Sequence, residues 1–156
     1  MRLRILAVGA RQPTWVDAAV AEYQKRIKPP WRLEVVALEP GPRSASGDVA
    51  RAIEKEGERV LEALKDREAV VLLDERGKSF TTRAFAQRLA TLGAEHPDLA
   101  LLIGGPDGHA AAVRARATES WSLGALTLPH GLARVVLVEQ LYRAQSLLLG
   151  HPYHRD

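Results

Sequence analysis

Apolar residues follow two alternating patterns along the whole chain. Short, nearly continuous apolar runs at 2–9, 32–38, 69–74 and 98–103 have the length of buried strands. The segments between them repeat apolar residues every three or four positions, which is typical of helices with one buried face. The alternation predicts an α/β fold, a three-layer sandwich in which helices cover both sides of a mostly parallel sheet, formed by a single domain over 1–156.

Proline, glycine and capping residues indicate where the helices begin and end. The helices are expected between Pro13 and Pro29, at 48–66, after Thr81, from about 108 and at 131–149, with one further short strand at 119–123. The helix at 48–66 is expected to bury Val49, Ile53, Val60, Leu61 and Leu64.

The last helix carries two apolar arcs, whereas a helix lying on one sheet needs a single arc. The first arc consists of Leu137, Leu141, Ala144 and Leu148, and the second of Val135, Val138, Tyr142 and Leu149. A two-fold homodimer built on this helix would cover the second arc. A loop or a neighbouring helix of the same chain is the alternative cover.

Composition narrows the class of protein. Hydrophobic residues make up 46% of the chain, and no apolar run approaches the roughly 18 residues of a membrane span, so we expect no membrane association. The first nine residues are interpreted as a strand and not as a signal peptide. The absence of cysteine fits a reducing cytoplasm. A net charge of +3 permits binding to a polyanion without requiring it.

Several common site patterns are excluded. The end of the segment Asp74 to Ser79 looks like a phosphate-binding loop, but Leu72 stands where that motif needs its first glycine. The dinucleotide-binding glycine fingerprint is also absent. His151 and His154 have no third clustered ligand beside them, so no metal site is expected.

Three segments remain as candidates for chemistry, namely Gly104-Gly105, residues 123–128 and the last six residues. Gly104-Gly105 follows a buried strand, where glycine lets the backbone approach a small ligand closely. The last six residues combine histidine, tyrosine and arginine. The alternatives are a tight turn for the glycines, a buried strand with its exit turn for 123–128, and a disordered terminus for the tail.

The order and spacing of five motifs are specific. They are Leu73-Asp74 with Gly77-Lys78, Leu102-Ile103-Gly104-Gly105, Leu126-Thr127-Leu128-Pro129-His130, Arg134-Val135 with Glu139-Gln140-Leu141-Tyr142-Arg143-Ala144, and His151-Pro152-Tyr153-His154-Arg155. From Leu3 to the C-terminus the chain resembles the bacterial large-subunit ribosomal RNA pseudouridine N3-methyltransferases of the SPOUT class.

The resemblance implies a C-terminal trefoil knot and a pocket for S-adenosyl-L-methionine, whose adenine is held by main-chain groups between apolar side chains. By position, the pocket would be lined by Leu73, Gly104, Gly105, Leu123, Gly124, Ala125, Leu126, Thr127 and Leu128. It also implies methylation of 23S ribosomal RNA, on an assembled (70S) ribosome, by a homodimer without a metal.

The tail would carry the substrate chemistry. His154 is the candidate base for the N3 proton, since histidine titrates near neutrality. Tyr153 could stack on the base, and Arg155 or Arg143 could bind a phosphate or a pyrimidine carbonyl. The alternatives are methylation of another base, such as one in tRNA, by the same fold, and a non-catalytic RNA-binding or ribosome-assembly factor.

Overall fold

A computed structural model describes residues 1–9, 11–43 and 47–154. The elements are β1 (Arg2–Val8), α1 (Thr14–Arg26), β2 (Arg32–Leu38), α2 (Val49–Ala63), β3 (Ala69–Ser79), α3 (Thr82–Glu95), β4 (Asp98–Ile103), α4 (Ala111–Arg116), β5 (Glu119–Ser122) and α5 (His130–Leu148). Five strands form one sheet in the order β2-β1-β4-β3-β5, and every pairing between them is parallel. The predicted α/β fold is confirmed.

Helices cover both faces of the sheet. On one face, α1, α3 and α5 pack on alternate strand residues such as Leu3 and Ile5 of β1. On the other face, α2 and α4 pack on the intervening residues, among them Leu6 and Val8. Successive strand side chains point to opposite faces, so the near-continuous apolar runs reflect a sheet that is buried on both sides.

Strand β3 is longer than predicted. The apolar run ends at Leu73, but the strand continues through a polar segment to Ser79. After an irregularity between Leu73 and Lys78 it pairs with β5 through Lys78 and Trp121. Gly77 permits this close approach, because a Cβ there would lie 2.5 Å from the backbone of Trp121.

The two arcs of α5 are mostly covered by the same chain. This helix lies between α1 and α3, so Val138 of the predicted second arc is completely buried in the core. Tyr142 packs on Tyr23 of α1, with ring centroids 6.3 Å apart. Leu148, assigned to the core arc, is instead 44% exposed beside Leu149 at 50%. The predictions for Val138 and Leu148 were therefore wrong. Neighbouring helices of the same chain cover much of the second arc.

Among the described residues, no helix has the length and apolar character needed to cross a bilayer. The trefoil knot stays a prediction of the resemblance.

Candidate cofactor and substrate site

A cleft of about 1040 Å³ lies at the carboxyl ends of the strands, where parallel sheets commonly bind ligands. Its walls come from the ends of β1, β4 and β5 with the segments that follow them, from residues 73–76 within β3, and from the start of α5. Apolar side chains, exposed backbone and a few charged groups share the lining. The cleft therefore has the mixed character of a site for a small polar molecule.

The structure brings together nearly all of the predicted cofactor-binding residues. Those that line the cleft are Leu73, Gly104, Gly105, Leu123, Gly124, Leu126, Thr127 and Leu128. Ala125 is the exception, since it is exposed and does not line the cleft. Three separate segments of the chain thus meet, as the resemblance implies.

A buried carboxylate gives a second reason for glycine at position 105. Close approach of a ligand was the sequence argument, but a Cβ at Gly105 would lie 2.8 Å from Oε2 of Glu56. Glu56 is a buried residue of α2, 3% exposed, directly beneath the glycine turn. The space that glycine leaves is filled by this carboxylate.

Glu56 belongs to a network that holds the glycine turn. Its Oε1 accepts hydrogen bonds from the backbone N–H of Gly41 at 2.9 Å and from Arg43 at 2.5 Å. Arg43 also donates to Asp107 at 2.9 Å, on the far side of the turn. The hydrogen bond to Glu56 raises the pKa of Arg43. This buried pair was missed from the sequence, because a glutamate on a helix normally indicates a solvated face.

His109 and Asp74 fix the part of β3 that lies beside the cleft, where its apolar run ends. The Nε2 of His109 lies 3.1 Å from the carbonyl oxygen of Leu73, which can only accept, so Nε2 carries the proton. Asp74 accepts from the backbone N–H of Arg76 at 2.9 Å and pairs with Arg114 at 2.6 Å. These contacts, the backbone hydrogen bond first, lower the pKa of Asp74. The rim of the cleft is thus rigid where Leu73 enters it.

The turn after β5 is held by Ser122. Its hydroxyl donates to the carbonyl oxygen of Gly124 at 2.8 Å and accepts from the N–H of Gly124 at 3.2 Å. Gly124 has φ +147°, a conformation that other residues rarely adopt. The turn at Gly124 is therefore fixed by the Ser122 side chain, next to the cleft-lining residues Leu123, Leu126 and Leu128.

The tail turns back along α5. Gly150, at φ +69°, ends the helix in a left-handed conformation, and the N–H of His151 donates to the carbonyl of Ser146 at 2.8 Å. The Tyr153 hydroxyl donates to Glu139 at 3.1 Å, and its ring lies 4.5 Å from that of Tyr142. Among the described residues this segment is an ordered one, not a frayed end.

The two described candidate catalytic residues, Tyr153 and His154, do not line the cleft of their own chain. Arg143 stands over the Tyr153 ring at 4.9 Å and pairs with Glu139, while Arg155 falls outside the described residues. The Nδ1 of His154 is buried and has no hydrogen-bond partner within the described part of the chain. His130 lines the cleft, and Glu139 follows nine residues later, which is about 13 Å along a helix.

The charges at the tail differ from those at the cleft. Burial, with contributions from Tyr23 and Glu139, raises the pKa of Tyr153, so its hydroxyl stays protonated near neutral pH. The cleft holds carboxylates at Asp74, Glu75 and Asp107 together with Arg76 and Arg114. Within the described ranges, no group of three or more His, Cys, Asp or Glu side chains could hold a metal ion.

Comparison with known proteins assigns the family. The family model described as "Predicted SPOUT methyltransferase" matches residues 1–154. Proteins called "Ribosomal RNA large subunit methyltransferase H" from Xanthomonas campestris pv. campestris (strain B100) and Xanthomonas oryzae pv. oryzae (strain PXO99A) are each 50% identical over 155 residues, 99% of both chains. The protein of that name from Xanthomonas euvesicatoria pv. vesicatoria (strain 85-10) is 49% identical over the same length. A match of this extent, on a parallel sheet with a cleft at its carboxyl edge, means that the chain belongs to the SPOUT methyltransferase family.

Proposed function

We propose that this protein uses S-adenosylmethionine to methylate N3 of a pseudouridine in 23S ribosomal RNA, acting as a homodimer on the assembled ribosome in the cytoplasm. The observation that carries the proposal is identity of 50% over 99% of the chain with proteins named as large-subunit ribosomal RNA methyltransferases. A net charge of +3 is compatible with a polyanionic substrate.

The cleft fits the proposed methyl donor. Backbone-rich walls at Gly104-Gly105 and at 123–128 offer main-chain donors and acceptors for an adenine, and Leu73 and Leu128 offer apolar surface on either side. When bound, S-adenosylmethionine supplies an electrophilic methyl group on a sulfonium. The carboxylates that line the cleft suit the positive charge of that molecule.

The protein residues have to position two reactants and remove one proton. With the methyl donor held in the cleft, these residues would bring N3 of the base against the methyl group, and the donor would supply that group as N3 gives up its proton. The N3 proton leaves to a base, for which His154 is our candidate. Arg143 or Arg155 would bind a phosphate or stabilise negative charge on the pyrimidine carbonyls, and Tyr153 would orient the base.

A homodimer would solve the separation between tail and cleft. Tyr153 binds Glu139 about two and a half helical turns from the cleft residue His130, so a chain does not deliver its own tail to its own cleft. A second copy, packed in the reverse direction along α5, would bring its tail to that cleft. Exposed apolar side chains at Trp15, Leu132 and Leu149 provide surface for such packing.

The function is tested with ribosomes from a strain that lacks the modification. Purified protein and S-adenosylmethionine should add one methyl group to one large-subunit RNA fragment, located by mass spectrometry. Carbodiimide modification, which after mild alkali remains on N3 of unmodified pseudouridine, should be blocked at the methylated site. Transfer to tRNA instead, or cofactor binding without transfer to any RNA, would favour the two alternative functions.

The shared site is tested by mixing two inactive variants. One lacks the tail after Gly150, and the other carries Gly105→Val in an otherwise intact chain. Random exchange of subunits makes half of the dimers mixed, each with one complete site, so activity should return to about a quarter of the unmodified value. Recovery of no activity after verified subunit exchange would contradict a site completed by the partner.

A further inference from the structure

Arg134 is a buried cation whose anionic neighbour in the described part of the chain, Asp17 of α1, forms no ion pair with it. The residue is only 4% exposed, and none of the ion pairs formed among the described residues includes it. Its Nε donates to Nε2 of His130 at 2.9 Å, and Nη2 donates to the carbonyl oxygen of Gly9. Burying a guanidinium against neutral acceptors is costly, so this arrangement is better explained by a role than by stability.

The contact with Arg134 determines the protonation of His130. A guanidinium has donors only, so Nε2 of His130 must be an acceptor without a proton. The remaining nitrogen, Nδ1, then carries the proton and donates to the carbonyl oxygen of Gly104 at 3.2 Å. Burial first, and then the neighbouring positive charge of Arg134, lower the pKa of His130, which agrees with a neutral ring.

These hydrogen bonds join three parts of the cleft wall. Gly9 follows β1, Gly104 follows the adjacent strand β4, and His130 begins α5. A Cβ at Gly9 would lie 3.4 Å from both Arg134 and His130, so the two side chains lie within van der Waals contact of the residue that follows β1. Because a peptide group is planar, fixing the carbonyl of Gly104 also fixes the N–H of Gly105 on its opposite edge.

We propose that His130, held as the neutral Nδ1–H tautomer by Arg134, is a positioning residue that sets the orientation of the Gly104–Gly105 peptide for cofactor binding. The proposal rests on the proposed function, in which this peptide lines the methyl-donor site. His130 takes no part in proton transfer to the substrate. Its contribution is to the affinity for the cofactor and not to the affinity for RNA.

Two variants of similar size separate the hydrogen bond from the volume of the ring. His130→Asn keeps an N–H near the position of Nδ1, whereas His130→Leu keeps volume without a donor. We expect His130→Leu to weaken binding of S-adenosylhomocysteine about tenfold and His130→Asn to weaken it no more than about threefold, measured by calorimetry on folded proteins. His96→Asn, at the end of α3, is the matched control and should leave the affinity unchanged.

A second measurement works even if a variant fails to fold. Nitrogen-15 chemical shifts of the imidazole in the unmodified, ligand-free protein report which ring nitrogen of His130 carries the proton. The Nδ1–H tautomer is expected at neutral pH. The Nε2–H tautomer, or equal affinities of the asparagine and leucine variants, would overturn the proposal. An unmodified protein that does not bind S-adenosylhomocysteine would overturn the proposed function itself.

Discussion

The two ends of α5 are held in different ways. At the first turn, His130 and Arg134 donate hydrogen bonds to the backbone carbonyls that follow β4 and β1. The start of the helix is therefore attached to the carboxyl ends of these strands. Beyond the last turn, the tail contacts side chains of the same helix, with Tyr153 on Glu139 and Tyr142. The first end is a rigid wall of the cleft, and the second is a segment packed outside it. Under the proposed function, binding of the methyl donor and methyl transfer therefore depend on separable parts of the chain.

Removal of the tail after Gly150 should give the largest effect and the cleanest separation. We expect loss of methylation with cofactor affinity within about twofold of the unmodified protein, because residues between Val8 and Ala133 line the cleft and the proposed role of the partner's tail is toward the substrate base. Single-turnover methylation of unmodified ribosomes and calorimetry provide the two measurements. Methylation at the unmodified rate would show that the tail has no role in the reaction.

Gly105→Val should damage the cleft and not the tail. The new side chain meets the buried carboxylate of Glu56, so both cofactor affinity and stability should fall, stability by about 1–3 kcal/mol as for other overpacked sites. Urea denaturation and calorimetry measure the two losses. In a double-mutant cycle with Gly105→Ala, Glu56→Ala should relieve part of the cost, and additive effects would contradict the steric explanation.

Acid should lower the free energy of unfolding through two histidines that line the cleft. Burial lowers the pKa of His109 and of His130, so below the ordinary histidine pKa of about 6.5 the unfolded chain binds more protons than the folded one. The free energy of unfolding should therefore decrease as pH falls from about 6.5 toward the lowered values. Replacing His109 by glutamine should reduce this slope, whereas His151→Gln, at an exposed position in the tail, should leave it unchanged.

Tyr153→Phe should have the smallest effect and sharpens what the tail ring does. The change removes one hydrogen bond to Glu139 and keeps the ring on Tyr142, so stability should change by no more than about 1 kcal/mol. If the ring serves only to stack on the substrate base, methylation should be slowed only mildly. A loss as large as that caused by His154→Ala would assign the hydroxyl a part in the reaction.

Local patterns predicted the elements well, because strand and helix periods depend on neighbouring residues. The polar end of β3 was missed, since Lys78 and Ser79 pair with β5 across a distance in sequence that periodicity does not detect. The face of α2 was predicted only in part, since Val60 is buried and Leu64 packs on the same cluster, but two other residues do not. Val49 and Leu61 are exposed at 44% and 37%, while Glu56 is buried because Arg43 and Gly41 satisfy its charge from another segment.

The candidate site was likewise predicted only in part. Leu73, Gly104 and most of 123–128 were predicted from the resemblance and do meet in one cleft. The roles of Glu56, His109 and His130 were not predicted, because each depends on a carbonyl or carboxylate that only the folded chain places beside it. The glycine that ends α5 was a usable signal for the direction of the tail, since a left-handed residue after a helix reverses the chain.

The buried carboxylate beneath the glycine turn also constrains how this protein can vary. Arg43, Glu56 and Gly105 occupy one small volume, so a larger residue at 105 requires a shorter one at 56, which in turn leaves the guanidinium at 43 without its buried partner. Single substitutions at these positions should be selected against even though 43 and 56 lie outside the cleft lining. Across related sequences, the three positions should change together or not at all.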